Sequence, residues 1–138
     1  MIDKNVIIRL LSVVLVITLL IILLCSCKSI AELTFDDKGK SFELEKGDRI
    51  NIKLESNPTT GYSWILGGET DTSVVSLFDS KFVQTEKEEE LVGAGGYEIF
   101  TFKAENSGQT EITLTYQRPW EEEELKGEFL FKINITVK

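Results

Sequence analysis

The chain has 138 residues, no histidine, two cysteines, and 23 acidic against 15 basic side chains, for a net charge of −8. Because both cysteines precede residue 28 and histidine is absent, Ser-His and Cys-His nucleophile pairs and the usual imidazole or thiolate metal sites are excluded, and no cofactor is expected. The negative sign repels nucleic acid and anionic lipid headgroups, leaving a protein or a basic ligand as the expected partner.

At the N-terminus, Lys4 and Arg9 precede an apolar run from Leu10 to Leu24, and the chain turns polar at Ser26-Cys27-Lys28-Ser29. This is the layout of a secretory signal peptide. The run is shorter than the ~20 residues of a spanning helix, although counting back to Val6 narrows the gap and keeps a membrane anchor open. Leu24-Cys25-Ser26-Cys27 resembles the lipobox of prokaryotic lipoproteins, in which the chain is cut before a cysteine that carries lipid. By that resemblance Cys27 is the lipidated thiol, residues 1–26 are the leader, and residues 27–138 are one exported domain tethered to the outer face of the cytoplasmic membrane. Without lipid the domain would be secreted. Removing the leader leaves 13 basic and 22 acidic residues, a net charge of −9. The exported part has no pair of cysteines for a disulfide, so hydrophobic burial must hold it together.

From Leu33 onward apolar residues recur with period two, the mark of half-buried strands. Ile50, Ile52 and Leu54 alternate with Arg49, Asn51, Lys53 and Glu55. Phe100, Phe102 and Ala104 form a second inward row, Ile112, Leu114 and Tyr116 a third, and Phe129, Phe131, Ile133, Ile135 and Val137 a fourth. Turn-forming residues separate them, as at Lys38-Gly39-Lys40, Lys46-Gly47-Asp48, Gly67-Gly68 and Asn106-Ser107-Gly108. Short strands punctuated in this way predict an all-β fold, an immunoglobulin-like antiparallel β-sandwich, without the Cys and Trp spacing of antibody domains.

Two acidic stretches, Glu86 to Glu90 and Glu121 to Glu124, belong in solvent, since no core could bury them unpaired. They read as solvated loops, with a basic-ligand site as the alternative. A glycosidase-like acid pair survives on composition alone, but the acids cluster in these runs rather than at the ends of apolar strands.

Three segments between strands carry more specific chemistry. In Asn57-Pro58-Thr59-Thr60-Gly61-Tyr62, Pro58 fixes its own φ and biases Asn57 to extended backbone, while Gly61 permits a positive φ. The result is a stiff loop with two threonines at its crest, or an ordinary turn. Gly93-Ala94-Gly95-Gly96 offers a backbone that another surface can approach closely. No Lys-Ser or Lys-Thr follows it, so it is not a phosphate cradle. Arg118-Pro119-Trp120 places two residue types enriched in interface hot spots at a loop tip, unless the indole folds back on its own sandwich.

Together, in this order, the three segments resemble those of the chagasin-type inhibitors of cysteine peptidases. That family carries an Asn-Pro-Thr-Thr-Gly-aromatic loop, a Gly-x-Gly-Gly loop and an Arg-Pro-Trp loop on an immunoglobulin-like sandwich. The resemblance spans about Leu33 to Lys138. It implies a monomeric, non-catalytic inhibitor of papain-like enzymes, with Asn57 to Tyr62 as the wedge in the catalytic cleft and Thr60 near the enzyme's cysteine and histidine. The glycine loop and Trp120 would grip the cleft walls.

Topology sets a condition on this reading. Loops at one end of an antiparallel sandwich are separated by an even number of strands. Two strands, Tyr97 to Ala104 and Gln109 to Gln117, separate the second and third loops. Between the first and second lies Ser63 to Leu66, and then Val74 to Phe78 and Lys81 to Thr85, which must count as a single strand. Two other readings remain. In an adhesion or carbohydrate-binding module Tyr62, Trp64 and Trp120 would stack on sugar rings. In a lipoprotein that docks an envelope complex, nothing would be inhibited.

Overall fold

A computed structural model describes residues 4–24, 29–85, 95–120 and 129–138. Cys27, Gly93, Ala94 and both acidic stretches lie outside the described residues. Helix α1 covers Lys4–Leu24, and Val6, Leu10, Leu11 and Val14 on it are exposed. The side chains of residues 16–24 are outside the described set; among the described residues no helix is long and apolar enough to cross a membrane.

Among the described residues eight strands follow: β1 (Ser29–Leu33), β2 (Ser41–Leu44), β3 (Arg49–Ser56), β4 (Ser63–Leu66), β5 (Val75–Gln84), β6 (Gly96–Ala104), β7 (Gly108–Gln117) and β8 (Leu130–Val137). They form two four-stranded sheets, ordered β1-β3-β6-β5 and β2-β8-β7-β4. The period-two rows explain how the sheets pack. Pairing Ile50 with Phe102 and Ile52 with Phe100 gathers one apolar face. Pairing Ile112 with Ile133 and Leu114 with Phe131 gathers the other. These side chains are buried and form a single core, whose removal from water supplies the driving force a disulfide-free domain needs.

The expected sandwich is present, with one difference in strand direction. Four pairings are antiparallel, but the edge strands β1 and β2 run parallel to β3 and β8. Side-chain alternation is the same in either direction, so it could not distinguish them. Phe129, expected inward, is 39% exposed at the mouth of the sandwich just before β8.

The strand-count condition is met. Residues 75–84 form one strand, and the irregularity that suggested two is a bulge between Leu77 and Asp79, with Phe78 the extra residue. A bulge breaks period two without reversing the chain. Two strands therefore separate the first loop from the second, and two the second from the third. All three connections emerge at the same end: the β3-to-β4 crossover and the β5-β6 and β7-β8 hairpins.

Surface charge adds little to this frame. Lys132 on β8 reaches Glu111 on β7 at 2.6 Å, and that hydrogen bond holds the ammonium pKa above its ordinary value. Both groups are solvated, and such pairs contribute little to stability.

Candidate binding edge formed by three loops

The first loop is rigid because its own polar groups close it. After β3, Asn57 caps a single 3₁₀ turn at Pro58–Thr60. Its Oδ1 accepts from the Thr59 amide at 3.3 Å and the Thr59 hydroxyl at 2.6 Å. Its carbonyl accepts from the Thr60 amide at 3.1 Å and the Thr60 hydroxyl at 2.7 Å. Gly61 ends the turn at φ +82°, the left-handed region that glycine enters without strain. Pro58, Thr59 and Thr60 stay exposed at the crest. The same short polar side chains that make this a turn thus also fix its shape.

The third loop lies against the first. Arg118 Nε donates to the Thr60 carbonyl at 3.1 Å, and its guanidinium lies 4.7 Å from the centre of the Tyr62 ring. Trp120 is 70% exposed, so its indole is not folded back into the sandwich. The edge of that indole covers Gly61, where a Cβ would stand 2.8 Å from Trp120 Cη2. Pro119 is exposed beside it. Two segments 58 residues apart therefore present one continuous edge of two threonines, an arginine and an indole.

Behind the edge, Tyr62, Tyr116 and Phe129 form an aromatic cluster, with Tyr62 5.3 Å from Tyr116 and 6.5 Å from Phe129 between ring centres. The Asn57 amide donates to the Tyr116 hydroxyl at 2.8 Å. Trp64 is buried, and its indole N–H donates to the Glu55 carbonyl at 2.9 Å. Tyr116 was legible only as an inward strand residue. Its part in holding loop one could not be read from its position.

Of the second loop, Gly95 and Gly96 are described. Gly96 opens β6 opposite both Ser56 and Gln84, which sets the base of the glycine loop beside the base of loop one. Any side chain on Gly96 would collide with the Val83 carbonyl and with the Phe82 ring, 2.6 Å from an added Cβ. Here glycine is needed for packing against its own hairpin, in addition to any approach by a partner.

This arrangement bears on the other readings. With Trp64 buried and Tyr62 packed between Tyr116 and Arg118, Trp120 alone of the three aromatic residues in the sugar-stacking reading stands exposed. Nor, among the described residues, do the loops gather groups for acid-base chemistry. Asp37, whose pKa is held low by Lys40, Asp71, held low by Ser73, and Glu105, held low by Lys103, all lie outside them. Among the described residues no cluster of acidic or sulfur side chains could hold a metal.

At one end of the β-sandwich the described parts of loops one and three form a single edge, with the base of the glycine loop beside them, and such an edge is a binding surface. Residues 43–135 match the model of the chagasin family of peptidase inhibitors, and the chain belongs to that family; it is an inhibitor and not an enzyme. It is 35% identical over 83 residues to chagasin of Trypanosoma cruzi, covering 59% of this chain and 76% of the relative. It is 30% identical over 104 residues to amoebiasin-1 of Entamoeba histolytica, covering 75% and 97%. Its fold is similar to the crystal structure of the cysteine protease inhibitor EhICP2 from the same organism, with a TM-score of 0.70 and 25% identity over 80% of this chain and 96% of the other.

Proposed function

We propose that the chain inhibits papain-like cysteine peptidases reversibly, by filling the catalytic cleft with its three-loop edge. The observation that carries this reading is the contact between loops one and three, the Arg118 bond to the Thr60 carbonyl and the indole over Gly61. The cysteine protease inhibitor named among the structural relatives supports the same enzyme class. In this proposal Asn57, Pro58, Thr59, Thr60, Gly61 and Tyr62 enter the cleft, with Thr60 closest to the enzyme's cysteine and histidine. Gly93 to Gly96 and Arg118 to Trp120 contact the two walls. Occlusion is steric, with no covalent bond to the enzyme's cysteine. Loops already ordered lose little entropy on docking, and a standard-size contact buries roughly 1,600 Å² in total. Titrating papain with the chain tests the reading; unchanged activity throughout would refute it.

We also propose that the domain is exported and tethered by lipid on Cys27. The basic start, the apolar run and Leu24-Cys25-Ser26-Cys27 support this. Cys27→Ala is then expected to abolish incorporation of labelled fatty acid and leave the leader uncut. Equal labelling of the variant would contradict it.

A further inference from the structure

The inward-facing row of β6 reads Gly96, Glu98, Phe100, Phe102, Ala104, and all but one of these side chains suit a core. Glu98 puts a carboxylate on the core face at the loop end, half-buried, opposite Leu54 of β3 and Phe82 of β5. Placing a charge there is costly unless it is well bonded.

Its bonds lead to both ends of loop one. Oε1 accepts from the Ser56 hydroxyl at 2.5 Å. The Trp64 amide donates to Oε1 and Oε2, each at 3.4 Å. Ser56 is the last residue of β3 before Asn57, and Trp64 follows Tyr62 by two residues on β4. Both are buried. Moreover, β4 is an edge strand of the opposite sheet, and its Trp64 N–H finds its acceptor across the sandwich.

We propose that Glu98 is a positioning residue for inhibition. A single carboxylate, carried two residues beyond the glycine loop, ties together the two feet of the Asn57 to Tyr62 wedge. The strand leaving loop two thereby fixes the entry and exit of loop one, while Tyr116 and Arg118 connect it to loop three. Both feet of the wedge share one acceptor group, so this link suits a loop that must be rigid before it meets its target. The proposal rests on the inhibitor reading for its consequence, though the brace itself can be measured in the free protein.

The test compares wild type, Glu98→Ala, Glu98→Gln and Ser56→Ala as full chains in mild detergent. Two quantities are read: amide hydrogen exchange by mass spectrometry and papain inhibition. Glu98→Ala is expected to speed exchange across residues 57–64 while β7 and β8 stay protected, and to weaken inhibition about tenfold. Glu98→Gln keeps an acceptor oxygen and is expected to stay within about threefold of wild type, while Ser56→Ala, which frees one foot, falls between. Unchanged exchange in Glu98→Ala, a rise spread equally over β7 and β8, or equal losses in the Ala and Gln variants would overturn the proposal. If wild type leaves papain active, the inhibitor reading fails, and the exchange comparison still decides whether the brace exists.

Discussion

Trp120→Ala weakens inhibition of papain by about thirtyfold, the ~2 kcal/mol that truncating a central interface tryptophan costs, and leaves the thermal midpoint nearly unchanged. The asymmetry follows from exposure. The indole is 70% exposed, so the free protein loses little packing when it is removed, whereas a bound enzyme would lose a large, rigid apolar contact. Thr60→Ala is expected to act in the same direction and with the same indifference to stability. The Thr60 hydroxyl closes the turn onto the Asn57 carbonyl at the crest of the loop, and its loss loosens a surface segment rather than the core. The two residues belong to loops in contact, so their effects need not add. A double variant that inhibits as well as wild type would contradict the loop mechanism.

Gly61→Ala has the second large effect, for two reasons acting at one atom. A φ of +82° suits glycine and costs alanine about 1–2 kcal/mol. The new methyl would also meet Trp120 Cη2 at 2.8 Å and Cζ2 at 3.1 Å. Because the indole is exposed, it can swing away, so the clash is relieved by moving the side chain that the third loop presents. The expected result is a fall in thermal midpoint of a few degrees, roughly what 1 kcal/mol produces in a domain of this size, together with an inhibition loss at least as large as that of Trp120→Ala. A variant of undiminished potency would show that the indole's place over Gly61 is immaterial.

Much of the sandwich was legible because burial in sheets obeys period two. Ile50, Ile52, Leu54, Phe100, Phe102, Ile112, Leu114, Phe131, Ile133, Ile135 and Val137 are all inward as their alternation implied. What alternation cannot carry is strand direction, hence the unforeseen parallel pairings of β1 and β2. It also loses phase at a bulge, and Phe78 made one strand look like two. The crests of loops one and three were legible from turn chemistry and from the costly exposure of a tryptophan. Their supports were not. The Tyr116 hydroxyl reaches Asn57 from a residue 59 positions away, a contact no local pattern encodes. Glu98 did leave a signal. Extending the Phe100, Phe102, Ala104 row backward by two places puts a carboxylate on the core face, the kind of local conflict that marks a functional position.

The most direct measurement is a titration of papain of known active concentration with the full chain, followed by dilution of the inhibited mixture. Occlusion by a preformed edge predicts activity falling to zero at one inhibitor per active enzyme, and recovering with time after dilution because no covalent bond has formed. Papain activity that is unaffected at every concentration, or that never returns after dilution, would contradict it.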